Sequence, residues 1–254
     1  MNNIIPIFYD HSSYKSILTF DDEIENGPDN ILEICKSNNI KQCYFASNNF
    51  HTFLTAWKAA KKKGIQLIFG LEIWMCNDSK VHDEQSPKSN NKIIVFQKNS
   101  DGYTDLIKLY TALHTNIENK YHKYRLDYQQ LKKYWTDNLI LTIPFFDSFV
   151  AKNLLQFESS IVPDFPIKPV IMREVDSGLP FDILIGKALD EFNKNKEYEE
   201  IKVKTIFYKD RKDVPAWIVY RSIGLHSNFS APEMDYCCSN NFCFESFKEL
   251  TQTT

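Results

Sequence analysis

Glycine is scarce in this chain, with seven in 254 residues. That leaves little room for a glycine-rich loop that cradles phosphate, and neither a dinucleotide fingerprint nor a P-loop pattern occurs. No Ser-His-Asp order is recognisable either. Apolar runs stop well short of the roughly 18 residues that a membrane span needs. The N-terminus lacks the basic region, apolar stretch and small-residue cleavage site of a secretory signal, so the sequence predicts a cytoplasmic protein. The six cysteines form no compact framework and read as free thiols of a reducing compartment. Excess positive charge is also missing: a net charge of -3 and a pI near 6.1 exclude a surface that grips nucleic acid all over, while leaving room for a local basic face.

What is present is ordinary globular material, 43% hydrophobic and 25% charged. The length suits one α/β barrel-like domain as well as two small domains. Apolar runs alternate with helical periodicity, the pattern of an α/β layer or barrel, and no internal repeat is visible. Strands are predicted over 4–9, 41–46, 67–75, 92–97, 138–143, 169–173 and 201–207. Helices are predicted over 29–38, 102–116, 127–134, 181–192 and 214–222. Between the second and third strands, Phe53, Leu54, Trp57 and Ala60 at helical spacing predict one buried face, closed by a left-handed cap at Gly64. The polar stretch 77–91 reads as a surface loop, and 162–169 as a connection. Glu72, two residues beyond Gly70, reads as a carboxylate at a strand end, where it would serve as a metal ligand or pair with a base.

Two other constellations carry weaker signals. Lys120, Lys123, Arg125, Lys132 and Lys133 interleave with Tyr121, Tyr124, Tyr128, Tyr134 and Trp135, a pattern that suits phosphate contact and base stacking. The same pattern suits a solvated helix whose aromatics face the core, and that reading is favoured. His226, Cys237, Cys238 and Cys243 offer four zinc donors at a spacing unlike that of zinc fingers, so packed free thiols are the expectation. Lys58, Lys61, Lys62 and Lys63 read as a solvated helix end supported by the macrodipole.

Several landmarks in order carry a family resemblance: HSSYKSIL at 11–18, WKAAKKKGIQLIFGLEI at 57–73, NSDGYTDLIKLYT at 99–111, YHKYRLD at 121–127 and KDRKDVPAWIVYRSI at 209–223. Together they resemble the PHP domain at the N-terminus of bacterial DNA polymerase III alpha subunits, and CFESFKEL at 243–250 resembles the segment that follows it. The resemblance implies a single-domain, distorted (β/α)7-type PHP barrel over about 5–225, with a C-terminal tail over 226–254.

Active members of the family cluster His, Asp, Glu and Cys at strand ends around metals. Against that pattern the opening His-x-His stands as Tyr9-Asp10-His11, the Asp-His pair as Ala46-Ser47, the cysteine as Phe145, and the late Asp-x-His as Thr205-Ile206-Phe207. His11 and Glu72 remain. The expectation is a vestigial site with no cofactor, in a non-catalytic module that docks a polymerase core or a proofreading exonuclease. The Asn-, Lys- and Ile-rich composition suits a stand-alone or split polymerase subunit, in a bacterial cytoplasm or, for a viral protein, that of the host. The alternative is a phosphoesterase or 3′–5′ exonuclease using Zn, Mn or Mg on a reorganised set of His11, Glu72 and His51, with Asp10, Asp21, Asp22 and His114 as further donors.

Overall fold

A computed structural model describes residues 4–21, 27–81, 89–115, 124–155, 165, 167–225 and 236–252. In chain order the elements are β1 (Ile4–Phe8), α1 (Ile31–Ser37), β2 (Gln42–Ser47), α2 (Phe53–Lys63), β3 (Gln66–Cys76), β4 (Asn91–Gln97), α3 (Ser100–Thr115) and β5 (Leu126–Asp127). They continue as α4 (Tyr128–Tyr134), β6 (Leu139–Ile143), α5 (Phe149–Leu155), β7 (Val170–Glu174), α6 (Asp182–Asn193), β8 (Glu200–Ile206), α7 (Val214–Leu225) and α8 (Phe244–Gln252). The hydrogen-bonding order of the strands is β2-β1-β8-β7-β6-β4-β3-β5, and β2 also pairs with β3. Seven strands thus close a mixed ring of ladders, the connectivity of an α/β barrel, and β5 extends it beside β3.

The residues group into two compact units. The first comprises 1–69, 174–180 and 202–254. In it β1 runs parallel to β2 and to β8, with Ile7 opposite both Tyr44 and Thr205. Its strands read as apolar runs because helices cover them: Ile7, Phe8, Cys43, Phe45 and Val203 are buried. The Asn30 side chain caps α1 by accepting from the amides of Leu32 and Glu33. Gly64 closes α2 at φ 68°, the left-handed conformation predicted for it. The buried face of α2 differs from expectation. Phe53, Ala56 and Ala60 point inward, whereas Leu54 is 56% and Trp57 43% exposed. Two alanines let the helix lie close to its support, which places Trp57 at the rim and Leu54 outside.

The second unit comprises 70–173 and 181–201. β3 and β4 are antiparallel, with Glu72 opposite Ile94, and β4 is antiparallel to β6. β3 runs one residue past the predicted bound, to Cys76, so Glu72, expected at a strand end, lies within the strand. Gly70 permits this, because a Cβ there would lie 2.5 Å from the Phe96 ring. Helix α3 begins two residues before Gly102, with the Asn99 side chain accepting from the Gly102 amide at 2.9 Å. A capping box between Asp127 and Gln130 starts α4. Among the described residues, no helix is long and apolar enough to cross a membrane.

Candidate functional site

In the first unit, four of the positions expected to be vestigial ligands stand on or just beyond the ends of neighbouring strands. Tyr9 follows β1, and Phe207 follows β8. Their rings are in contact, with centroids 5.3 Å apart. Phe207 also stacks on Trp217 at 5.4 Å and 10° and meets Tyr236 and Phe242, while both its backbone groups are engaged. The Trp217 indole donates to the Lys15 carbonyl at 2.7 Å. An aromatic cluster thus fills the space around these two positions. Ala46 and Ser47 are buried at the end of β2, and the Ser47 hydroxyl oxygen accepts from the Asn49 amide.

Thr205 is drawn into a separate polar arrangement. Its hydroxyl donates to Glu174 at 2.6 Å, and its amide donates to the same carboxylate at 2.9 Å. The Lys204 ammonium lies 3.9 Å from Glu174 and donates to the carbonyls of Val175 and Asp176 at 2.9 and 2.7 Å. Sequence reasoning passed over both residues. The signals were a lysine within the strand IKVKTI and a glutamate at the end of VIMRE, each an unusual residue to bury in a sheet.

His11 opens a short 3-10 turn, His11–Ser13. Its amide donates to the Leu18 carbonyl, and its own carbonyl accepts from the Tyr220 hydroxyl. Asp10 is closed to solvent and accepts from the Ser12 hydroxyl at 2.8 Å through Oδ1. Within this turn, Asp10 Oδ2 and His11 Nδ1 are among the nine buried side-chain atoms that have no hydrogen-bond partner among the described residues. Burial, with the negative charge of Asp10 among the lesser causes, raises the Tyr220 pKa.

In the second unit, Glu72 is buried four residues before the end of β3, at mid-strand rather than at the strand end expected of it. Phe145 is buried after β6 and packs edge-on against Phe146 at 4.9 Å.

The other candidates disperse. Arg125 is only 4% exposed and donates to Asn90 at 3.0 Å and to the Val81 carbonyl at 2.6 Å, so its guanidinium is spent inside the fold, which corrects its assignment to phosphate contact. Lys132 and Lys133 lie exposed on α4, with the latter over the Tyr134 ring. Lys120 and Lys123 lie outside the described residues, as do Asp22, His226 and the Cys237 side chain. Asp21 accepts from the Thr19 hydroxyl. His51 is exposed in the turn before α2, and His114 packs between Tyr110 and Tyr124 at 4.0 and 4.4 Å. Cys238 is exposed, whereas Cys243 is buried and its thiol pairs with backbone groups of Asn240 and Ser246.

A metal centre of the kind the resemblance implies needs several oxygen, nitrogen or thiolate donors converging on one point. The donor set does not fit it. Ala46, Phe145 and Phe207 have no donor atoms, Thr205 is bonded to Glu174, and no group of three or more His, Cys, Asp or Glu able to hold a metal ion occurs among the described residues.

Comparison with known proteins places this geometry in a family. The profile of the PHP domain matches residues 21–166. The DNA polymerase III subunit alpha of Borreliella burgdorferi is 25% identical over 210 residues, covering 77% of this chain and 18% of the relative. The corresponding subunit of Aquifex aeolicus is 32% identical over 93 residues, covering 34% of this chain and 8% of the relative. The chain therefore spans less than a fifth of the length of either relative.

Proposed function

The chain belongs to the PHP domain family, and on that premise we propose that it is a non-catalytic docking module of a DNA polymerase III alpha-type replication protein. The observation that carries this reading is the ring contact between Tyr9 and Phe207. Both stand where the resemblance calls for imidazole ligands, and the packed aromatics of Trp217, Tyr236 and Phe242 around Phe207 leave an apolar cluster in place of hydrated donors. Such packing preserves the fold without the chemistry. The partners in this reading are a polymerase core or a proofreading exonuclease, held through surface contacts.

The test joins two measurements on the full chain. Co-purification with a polymerase core, with sub-stoichiometric metal and no manganese-dependent cleavage of single-stranded DNA, is expected. Stoichiometric metal together with cleavage abolished by Glu72→Ala would overturn the reading.

One observation favours the phosphoesterase alternative: Asp10 Oδ2 and His11 Nδ1 are buried without hydrogen-bond partners among the described residues. Buried polar atoms of this kind call for an explanation, and a bound cation is one. In this second reading Asp10→Asn lowers metal content and cleavage together. An Asp10→Asn protein with unchanged metal content and cleavage would remove its support.

A further inference from the structure

The outer face of α2 combines exposed apolar surface with a cluster of exposed lysines. Leu54 and Trp57 are 56% and 43% exposed, and Lys58, Lys61 and Lys62 are exposed beside them. At about 100° per residue these five side chains fall on one continuous arc that begins with Trp57 beside the buried line of Phe53, Ala56 and Ala60 and runs away from it. The helix FLTAWKAAKKK contains no acidic residue. Lys63 is engaged by Glu33, but Lys58, Lys61 and Lys62 form no ion pair among the described residues. The Lys61 ammonium instead lies 5.2 Å from the centre of the Trp57 ring. Three cations without an acidic partner among the described residues thus surround a leucine and a tryptophan, on a chain whose net charge is -3.

A solvent-facing helix surface is normally polar, and glutamates at i,i+4 spacing support its lysines. This face has the reverse composition. We propose that it docks an acidic, amphipathic protein segment, whose apolar side chains cover Leu54 and Trp57 while its carboxylates meet Lys58, Lys61 and Lys62. Charge complementarity selects the acidic class, and the exposed leucine selects protein over nucleic acid. Bases stack on rings, and Trp57 is the one ring on this arc, whereas Leu54 offers a base neither a π-face nor a polar group. Aromatic anchors ringed by complementary charge are where protein interfaces concentrate binding energy. The inference rests on the docking reading above and specifies its surface.

The probe is a synthetic helical peptide with leucine and phenylalanine on one face and glutamate on the other, labelled for fluorescence anisotropy with the full chain. Its glutamine counterpart and a thymidine oligonucleotide serve as comparisons. The variants are Lys58→Glu/Lys61→Glu/Lys62→Glu and Leu54→Ser/Trp57→Ser, all at exposed positions, and unfolding curves verify that they fold. Either variant, or the glutamine peptide, is expected to bind roughly tenfold or more weakly, the charge effect fading with added salt. Carbodiimide coupling is expected to join peptide carboxylates to Lys58, Lys61 or Lys62. Absence of peptide binding, binding indifferent to both variants, coupling elsewhere, or oligonucleotide binding in place of peptide binding would each overturn the inference. Co-purification with a polymerase core that survives both variants would leave the docking reading intact and remove α2 as its surface.

Discussion

The Lys204 ammonium, within β8, and the Glu174 carboxylate, at the end of β7, stand 3.9 Å apart with both side chains closed to solvent. A buried charge is tolerated only with its partners in place, and here each has several. Lys204 donates to the Val175 and Asp176 carbonyls, and Glu174 accepts two hydrogen bonds from Thr205. The ammonium gathers the loop after β7 much as a bound cation would, and it stands next to Thr205, where the family resemblance places a ligand.

Removing one member should therefore cost more than removing both. Lys204→Met is expected to lower stability by about 3–5 kcal/mol, since it leaves a buried carboxylate and two carbonyls without the ammonium. Adding Glu174→Gln should recover part of that loss. Urea unfolding of the two single variants and the double variant reads the coupling, and strictly additive losses would show that the pair does not act as a unit.

A second prediction concerns acid. Hydrogen bonding by the Lys108 ammonium, then by Thr136 and Asn138, holds the Asp105 carboxyl down to about 2 against the partial opposition of burial. Because the folded value lies below the unfolded one, the stabilisation is fully present above about pH 4 and is lost as pH falls toward about 2. The Lys108 side chain is 58% exposed, so solvent screening reduces the contribution to about 1 kcal/mol. Asp105→Asn is expected to flatten the stability profile in that window while leaving it unchanged in shape near neutrality. An unaltered acid limb in the variant would show that other carboxylates set it.

The sequence carried the fold further than it carried the site. Apolar runs between turn residues marked β1, β2 and β6 because strands covered by helices demand such runs, and Gly64 marked the end of α2 because a left-handed cap favours glycine. Glu72 was read at a strand end although the predicted strand 67–75 already ran past it; β3 carries on to Cys76, and at Gly70 the Phe96 ring approaches its backbone. The two residues of β5 escaped notice for want of a periodic signal, and their pairing with Met75 and Cys76 is a tertiary fact. Leu54 and Trp57 were read as core because helical spacing reports a face but not which of two overlapping faces the rest of the fold covers. Lys204 and Glu174 required their register, which no local pattern in the chain provides.

Arg125 separates structural from nucleic-acid roles within the basic stretch. Its guanidinium bridges Asn90 and the Val81 carbonyl from a position only 4% exposed. Arg125→Ala is expected to destabilise by roughly 2–4 kcal/mol and to open the segment near Val81 to protease, since several charge-assisted hydrogen bonds are lost inside the fold. Lys132→Glu/Lys133→Glu, on the exposed face of α4, should shift stability by no more than about 0.5 kcal/mol. Oligonucleotide binding that the lysine double variant abolishes would return α4 to the list of nucleic-acid surfaces.

Restoring the family's ligands one pair at a time asks whether the rest of a metal site survives. Phe207→His withdraws a ring from contacts with Tyr9, Trp217, Tyr236 and Phe242 and places a polar group among them, so it is expected to cost roughly 3–5 kcal/mol. Tyr9→His should add a smaller loss. A cation that bound the folded state of the double variant would raise its stability by mass action. With Ala46, Ser47 and Phe145 still in place, too few donors return for that to happen, and manganese or zinc should leave the unfolding midpoint of the double variant where it is. A metal-dependent rise in that midpoint, absent from the parent protein, would mean that Asp10 and His11 still offer donors to a cation, and would count against the docking reading.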